Sequence, residues 1–141
     1  MIAHHLSIFA ENKPGRLEHI TEILAQANIN IRAIKISDLG EFGVVKVLVN
    51  DPDAAYQQLK DWHVSVSKKP IIAVIVDDQP GGLHRVLKLL SQQNINVEDS
   101  YGFVINQRGI LVIEVADVPE VAEMLRHSGL SLLTKEEIYA L

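Results

Sequence analysis

The chain has no cysteine among its 141 residues. Disulfide staples, thiolate zinc sites and cysteine nucleophiles are therefore excluded. Long apolar runs are also missing. The longest, Ile71 to Val76, falls far short of the roughly 20 residues that a membrane helix needs. The amino-terminal stretch Met1-Ile2-Ala3-His4-His5 has no basic region leading into an apolar run, so no signal peptide is read. Together with the missing cysteine, this sets the expectation of a cytoplasmic protein. There is no block of Lys and Arg, and the net charge is −5. A nucleic-acid-binding surface is disfavoured on that ground, and the strands read below lack paired aromatics for base stacking. What is present is a hydrophobic fraction of 48%, enough for a packed core. The length fits one ordinary domain or two very small ones.

Read in order, His4 to Ala10 alternates as a short strand, with Leu6, Ile8 and Ala10 on one face. Pro14 and Gly15 stop it. From there the period becomes helical, with Leu17, Ile20, Ile23, Leu24 and Ala27 in one apolar stripe. Asn28 closes this helix, since Asn tolerates the left-handed cap conformation. Ile29 to Asp38 and Val44 to Val49 read as strands around a turn at Gly40-Glu41-Phe42-Gly43. Asp51 caps a second helix with Pro52 at its first position, and Ala55, Leu59 and Trp62 form its buried side. His63 to Ser67 is a fourth strand, and Lys68-Lys69-Pro70 a short linker.

The second half repeats this order. Pro14 returns as Pro80, a displacement of 80 − 14 = 66 positions, and the same shift lays Asn28-Ile29-Asn30-Ile31 on Asn94-Ile95-Asn96-Val97 without a gap. Ile71 to Val76 is a strand. The helix after Pro80-Gly81-Gly82 buries Leu83, Val86, Leu87 and Leu90. Asn96 to Ile105 and Ile110 to Val115 are strands, Asp117-Val118-Pro119 opens a helix, and Leu130 to Leu133 is the last strand. The tail Thr134 to Leu141 is left unassigned. The expected fold is α+β: two ferredoxin-like βαββαβ units, residues 1–69 and 70–141, each with antiparallel strands and both helices on one face. Units this small have marginal cores, so a homodimer is expected.

No constellation for catalysis or metal binding can be named. None of the six histidines is matched by its echo, and no serine sits in a setting that would activate its hydroxyl. The turn Asn12-Lys13-Pro14-Gly15-Arg16-Leu17 lacks the glycine spacing and the Lys-Ser/Thr of a phosphate loop. The chain is read as a non-enzyme without a cofactor. The paired turns carry the one positive signal. Free amides at Gly15 to Leu17 and Gly81 to Leu83 open helices, and there they favour a carboxylate. Gly15, Gly81 and Gly82 admit a ligand close to the backbone. Asn12, Asn30 and Asp78 can accept from an ammonium group. In a split βαβ plan the helix start and the second-strand start are taken as neighbours at one end of the sheet, which would make a site for a zwitterion.

Asn12-x-Pro14-Gly15-x-Leu17 followed by Asn28-Ile29-Asn30-Ile31 resembles the ACT domain, and Asp78-x-Pro80-Gly81-x-Leu83 with Asn94-Ile95-Asn96-Val97 resembles it equally. The two copies cover nearly the whole chain. The resemblance implies a regulatory protein that binds a free amino acid, with paired units forming one sheet and ligand held between units. Carried over by position, the ligand residues are Asn12, Lys13, Gly15, Arg16, Leu17, Asn30 and Ile31, with Asp78, Gln79, Gly81, Gly82, Leu83, Asn96 and Val97. Serine-sensing members place a His four residues before the Pro. Ala10 and Val76 stand there in this chain, which implies a less polar pocket. Asp78 in the place of Asn12 implies that the two sites are not equivalent. The alternative is an obligate regulatory subunit of a biosynthetic enzyme, of the acetolactate synthase kind. No nucleic acid and no membrane is expected as a partner.

Overall fold

A computed structural model describes residues 1–141. The elements run β1 (Ala3–Glu11), α1 (Arg16–Gln26), β2 (Ile31–Asp38), β3 (Phe42–Val49), α2 (Pro52–Asp61), β4 (Ser65–Val76), α3 (Gly82–Gln92), β5 (Asp99–Ile105), β6 (Arg108–Glu114), α4 (Val118–His127) and α5 (Lys135–Tyr139). This is the α+β plan of two βαββαβ-like units read from the repeat.

The chain clusters into two compact units. One holds His4–Lys69 with Tyr139–Leu141, the other Pro70–Ile138 with Met1–Ala3. In the amino-terminal unit the strand order is β2-β3-β1-β4. β1 and β2 both pair antiparallel with β3, setting Leu6 opposite Val47 and Ile36 opposite Val45. Leu6, Ile8, Val45, Val47 and Val49 thereby share one sheet face, and Ile20, Ile23, Leu24, Ala55 and Leu59 of α1 and α2 bury against it. The carboxy-terminal unit has the order β4-β6-β5 and a second core of Ile72, Val74, Leu111, Ile113, Val86, Leu90, Val121 and Leu125. Position by position, 66 residues on, each core copies the other with apolar residues.

Local chemistry accounts for the boundaries. Asp51 and Asp117 accept hydrogen bonds from the amides of Ala54 (3.1 Å) and Glu120 (3.2 Å), so each side chain caps its helix. Asn28 and Asn94 take φ of 60° and 57°, the left-handed stop expected of Asn.

Four expectations are corrected. Lys68-Lys69-Pro70 lies where the two units divide but is strand and not a separate linker, since β4 runs unbroken from Ser65 to Val76. The charges are accommodated because Lys68 reaches back to Asp53 at 2.9 Å and lies over the Tyr56 ring, 5.4 Å from its centre. Leu130 to Leu133 is reduced to one bridge, Val74 with Leu132, because Thr134 already starts α5. The unassigned tail is that helix. The Thr134 hydroxyl accepts from the Glu137 amide (3.1 Å), and the Glu137 carboxylate accepts from the Thr134 amide (2.9 Å), a reciprocal capping box. Finally, Trp62, Leu83 and Leu87 are exposed rather than buried. Trp62 sits at the C-cap of α2, past the last buried turn, and packs edge-on against His19.

Candidate ligand site at the repeated turns

The two repeated turns are built alike. β1 ends at Glu11, and Gly15 enters α1 with φ 90°; β4 ends at Val76, and Gly81 enters α3 with φ 89°. A side chain is strained at such φ, so glycine is required. No side chain caps either helix, whereas α2 and α4 are both closed by an aspartate. The Arg16 and Gly82 amides already donate within the turn, to the Lys13 carbonyl (3.3 Å) and the Gln79 carbonyl (3.0 Å), so the amides from Leu17 and Leu83 onward are the ones left for an external acceptor. A Cβ on Gly15 or Gly81 would meet nothing within 4 Å, so both turns are open on that side. Gly82 differs, since a Cβ there would fall 2.1 Å from the Asp77 carbonyl oxygen.

The structure places the site residues in two groups per unit. Asn12 stands where β1 meets the β2–β3 turn. Its Nδ2 donates to Asp38 Oδ1 (2.8 Å) and to the Gly40 carbonyl (3.1 Å), and its amide donates to the Glu41 carbonyl. That leaves its Oδ1 as the acceptor. Lys13 and Arg16 both pair with Glu11, at 3.2 and 3.0 Å, and together they hold the Glu11 carboxyl below its usual range. Leu17 packs on the first core. Asn30 lies at the far end, where its amide donates to Asn50 Oδ1 (2.9 Å) and its carbonyl accepts from the Asn50 amide. Ile31 follows it, opposite Val49.

The expectation that Asn12 and Asn30 are neighbours is therefore wrong. β2 runs parallel to β1, so it begins at the end of the sheet opposite to where β1 stops. From the Phe42 row to the Val49 row along β3 is about 23 Å at ~3.3 Å per residue. One unit cannot present both asparagines to one small ligand. The second unit repeats the separation. Asp78 and Gln79 follow the Val76–Gly109 row, while Asn96 and Val97 precede the Asp99–Glu114 row.

In that unit Asp78, Gln79 and Leu83 line a groove of about 680 Å³ with Tyr101, Phe103 and Gly109. Burial, then the nearby Glu114 and Asp99, push the Tyr101 phenol above its ordinary range. Asn96 lines a separate cavity of about 540 Å³ with Asp117 and Met124. In the amino-terminal unit a cavity of about 300 Å³ opens beside Arg16. Its other lining residues include Phe9, His19, Phe42 and Trp62, none of which stood out in sequence. Phe9 and Phe42 stack with ring centres 5.0 Å apart, correcting the expectation of strands without paired aromatics. The signal was the β1–β3 register, which sets Glu11 opposite Phe42 and so brings Phe9 diagonal to it.

Comparison with known proteins agrees with this architecture. The family model described as an ACT domain pair matches residues 1–141. The chain belongs to that family. Protein BT0572 from Bacteroides thetaiotaomicron is similar over 100% of this chain and 98% of its own, with 38% identity and a TM-score of 0.94. The ligand-free regulatory subunit of aspartate kinase from Thermus thermophilus shares the fold at 18% identity, with a TM-score of 0.65 over 90% of this chain and 93% of its own. No curated protein matches. No helix is long and apolar enough to cross a membrane.

Proposed function

We propose that this ACT domain pair is a non-catalytic regulatory protein that binds a free amino acid at its repeated turns. The observation that carries the reading is the contrast among the helix starts: α2 and α4 are closed by aspartates, α1 and α3 are left uncapped behind left-handed glycines. A ligand carboxylate takes the amides of Gly15 and Leu17, or of Gly81 and Leu83, since those of Arg16 and Gly82 already donate within the turn, and the helix dipole adds to the attraction. Asn12 Oδ1 or the Asp78 carboxylate receives the ammonium group. Asn30 and Asn96 enter only where a second copy of the chain brings its strand start to the turn, which makes a homodimer part of the reading. A panel of free amino acids in thermal-shift and calorimetric assays tests it. A ligand at 100 times its Kd adds about 2.7 kcal/mol to stability. The absence of any stabilisation at millimolar concentration would sink the proposal.

A second reading is a regulatory subunit held by a biosynthetic enzyme. The Thermus thermophilus protein of the same fold, a regulatory subunit of aspartate kinase, supports it. Co-purification of the native protein separates the two: a stoichiometric large enzyme favours the subunit, tight self-association alone the free sensor.

A further inference from the structure

The cavity of about 300 Å³ beside α1 has a lining found in one copy only. Small-molecule pockets start at about 300 Å³, so it is large enough for one compact ligand. Four of the lining residues carry rings: Phe9 and Phe42 from the sheet face turned away from the first core, His19 from α1 and Trp62 from the end of α2. Phe9 and Phe42 stack 12° from parallel, and His19 meets Trp62 edge to face, with centres 6.1 Å apart. Trp62 is 54% exposed and contributes to no core, although it is the largest apolar side chain in the protein. His63, also in the lining, holds φ 59° where the copied position has Gly129. At the positions 66 further on, Ile75, Arg108, Arg85 and Ser128 replace Phe9, Phe42, His19 and Trp62. The rings are thus a departure of one copy and not a requirement of the fold.

Charge completes the picture. Arg16 lines the cavity and gives one nitrogen to Glu11 at 3.0 Å. A guanidinium has five N–H donors in a planar fork, so it retains the means to bind a carboxylate. Glu11 also lines the cavity, and Lys13, outside the lining, pairs with it at 3.2 Å, so this one anion is shared between two cations. Rings for a flat apolar body and a surplus of positive charge for an acid group specify complementary halves of one ligand.

We propose that this cavity binds a small planar aromatic carboxylate, its ring among Phe9, Phe42, His19 and Trp62 and its acid group on Arg16. An aromatic amino acid and an aryl acid without an ammonium group share this chemistry. The proposal rests on the turn being a ligand site only through Arg16, which belongs to both.

Trp62 is the sole tryptophan, so its fluorescence in the intact protein reports on this cavity alone. The probes are phenylalanine, 3-phenylpropionate, 2-phenylethylamine and leucine, each also titrated by calorimetry. Phenylalanine or 3-phenylpropionate changes the emission saturably, and the tighter of the two identifies the amino acid or the simple acid as the source. The amine, lacking the acid, and leucine, lacking the ring, bind at least tenfold more weakly. Arg16→Gln and Phe42→Arg, the latter installing the residue of the other copy, each weaken binding at least tenfold, with circular dichroism melting to verify the fold. Silence of Trp62 towards both phenyl acids overturns the proposal, as does unchanged affinity in Phe42→Arg. Heat from leucine or another amino acid with Trp62 silent overturns it while the amino-acid reading stands. Arg16-dependent binding of 3-phenylpropionate with no heat from any amino acid does the reverse.

Discussion

Asn12→Asp gives the amino-terminal turn the residue its copy has at position 78. In the native turn Asn12 Nδ2 donates to the Asp38 carboxylate at 2.8 Å and to the Gly40 carbonyl at 3.1 Å, and Asp38 Oδ1 also accepts from the Gly40 amide at 2.8 Å. The variant loses both donors and sets a second carboxylate against Asp38. Hydrogen bonds to a charged group contribute about 1.5–3 kcal/mol when sheltered, but these are exposed, and solvent screening lowers the loss to about 1 kcal/mol. Two like charges ~4 Å apart in water repel by about 1 kcal/mol. The variant is therefore expected to lose about 2 kcal/mol at pH 7 and low salt. For a chain of this size that lowers the melting temperature by roughly 7 °C.

The carboxy-terminal copy avoids this conflict, because Val104 stands where the first unit has Asp38. Asp38→Val should consequently rescue Asn12→Asp, with the double variant more stable than the sum of the single losses by about 1 kcal/mol. The pH dependence has a definite sign. The carboxylate introduced at position 12 faces a like charge, so its folded pKa rises above its unfolded value. The repulsive half of the deficit is then present at neutral pH and fades as pH falls through that raised value. Urea unfolding at pH 7 and pH 4, with and without 1 M salt, measures each part. Additive losses in the double variant, or a deficit unchanged between pH 7 and pH 4, would refute the reasoning.

Gly82→Ala should cost about 2–3 kcal/mol, as overpacking does, because its Cβ would stand 2.1 Å from the Asp77 carbonyl oxygen. Gly15→Ala meets open space and carries only the strain of φ 90°, about 1 kcal/mol, so chemical denaturation should rank Gly82→Ala as the worse of the two. Helix α5 should loosen in acid. The Thr134 amide and then its hydroxyl hold the Glu137 carboxyl below its ordinary value. The stabilisation from this depressed pKa is present above the free carboxylate range and lost as pH falls through the lowered value. The protection factors of the amides at residues 135–139, taken relative to intrinsic exchange at each pH, should fall there, and Glu137→Gln should already show the lower protection at pH 7.

The duplicated frame was legible because a gapless register needs no tertiary knowledge. Pro14 and Pro80, Asn28 and Asn94, Asp51 and Asp117 each do one local job twice, and the structure shows those jobs in φ values and cap bonds. The capping box Thr134-x-x-Glu137 is equally local, and its spacing alone marks the start of α5. Exposure was harder to read. Leu83 and Leu87 fit the apolar stripe of α3 but lie beyond what the sheet covers, and a period cannot say how wide the covered strip is. Lys68-Lys69-Pro70 read as a linker because the partners that settle the lysine, Asp53 and Tyr56, come from another element. The separation of Asn30 from Asn12 follows from topology alone. Parallel β1 and β2 start at the same end, so the end of one and the start of the other lie a strand length apart.

The divergence between the copies falls in one kind of place. Across the 66-residue shift Leu6 becomes Ile72, Ile8 Val74, Ile20 Val86, Leu24 Leu90, Val47 Ile113 and Leu59 Leu125, all buried and all still apolar. Each unit is too small to tolerate much loss of core, since burial barely offsets the conformational entropy of so short a chain. At the turns and the adjoining cavity that constraint is absent. There Asn12 becomes Asp78, Asp38 Val104, Arg16 Gly82, Phe42 Arg108 and Trp62 Ser128. The Asn12–Asp38 pair changes as a unit, because a carboxylate in place of Asn12 fits only when the facing carboxylate is gone. The Arg16–Phe42–Trp62 group loses its rings, and its guanidinium moves from the helix start, now Gly82, to the strand at Arg108. If the turns are ligand sites as proposed, these differences of charge and shape predict that the two copies differ in the ligand they favour, and titrating Asn12→Asp beside the native chain with the same amino acids measures it.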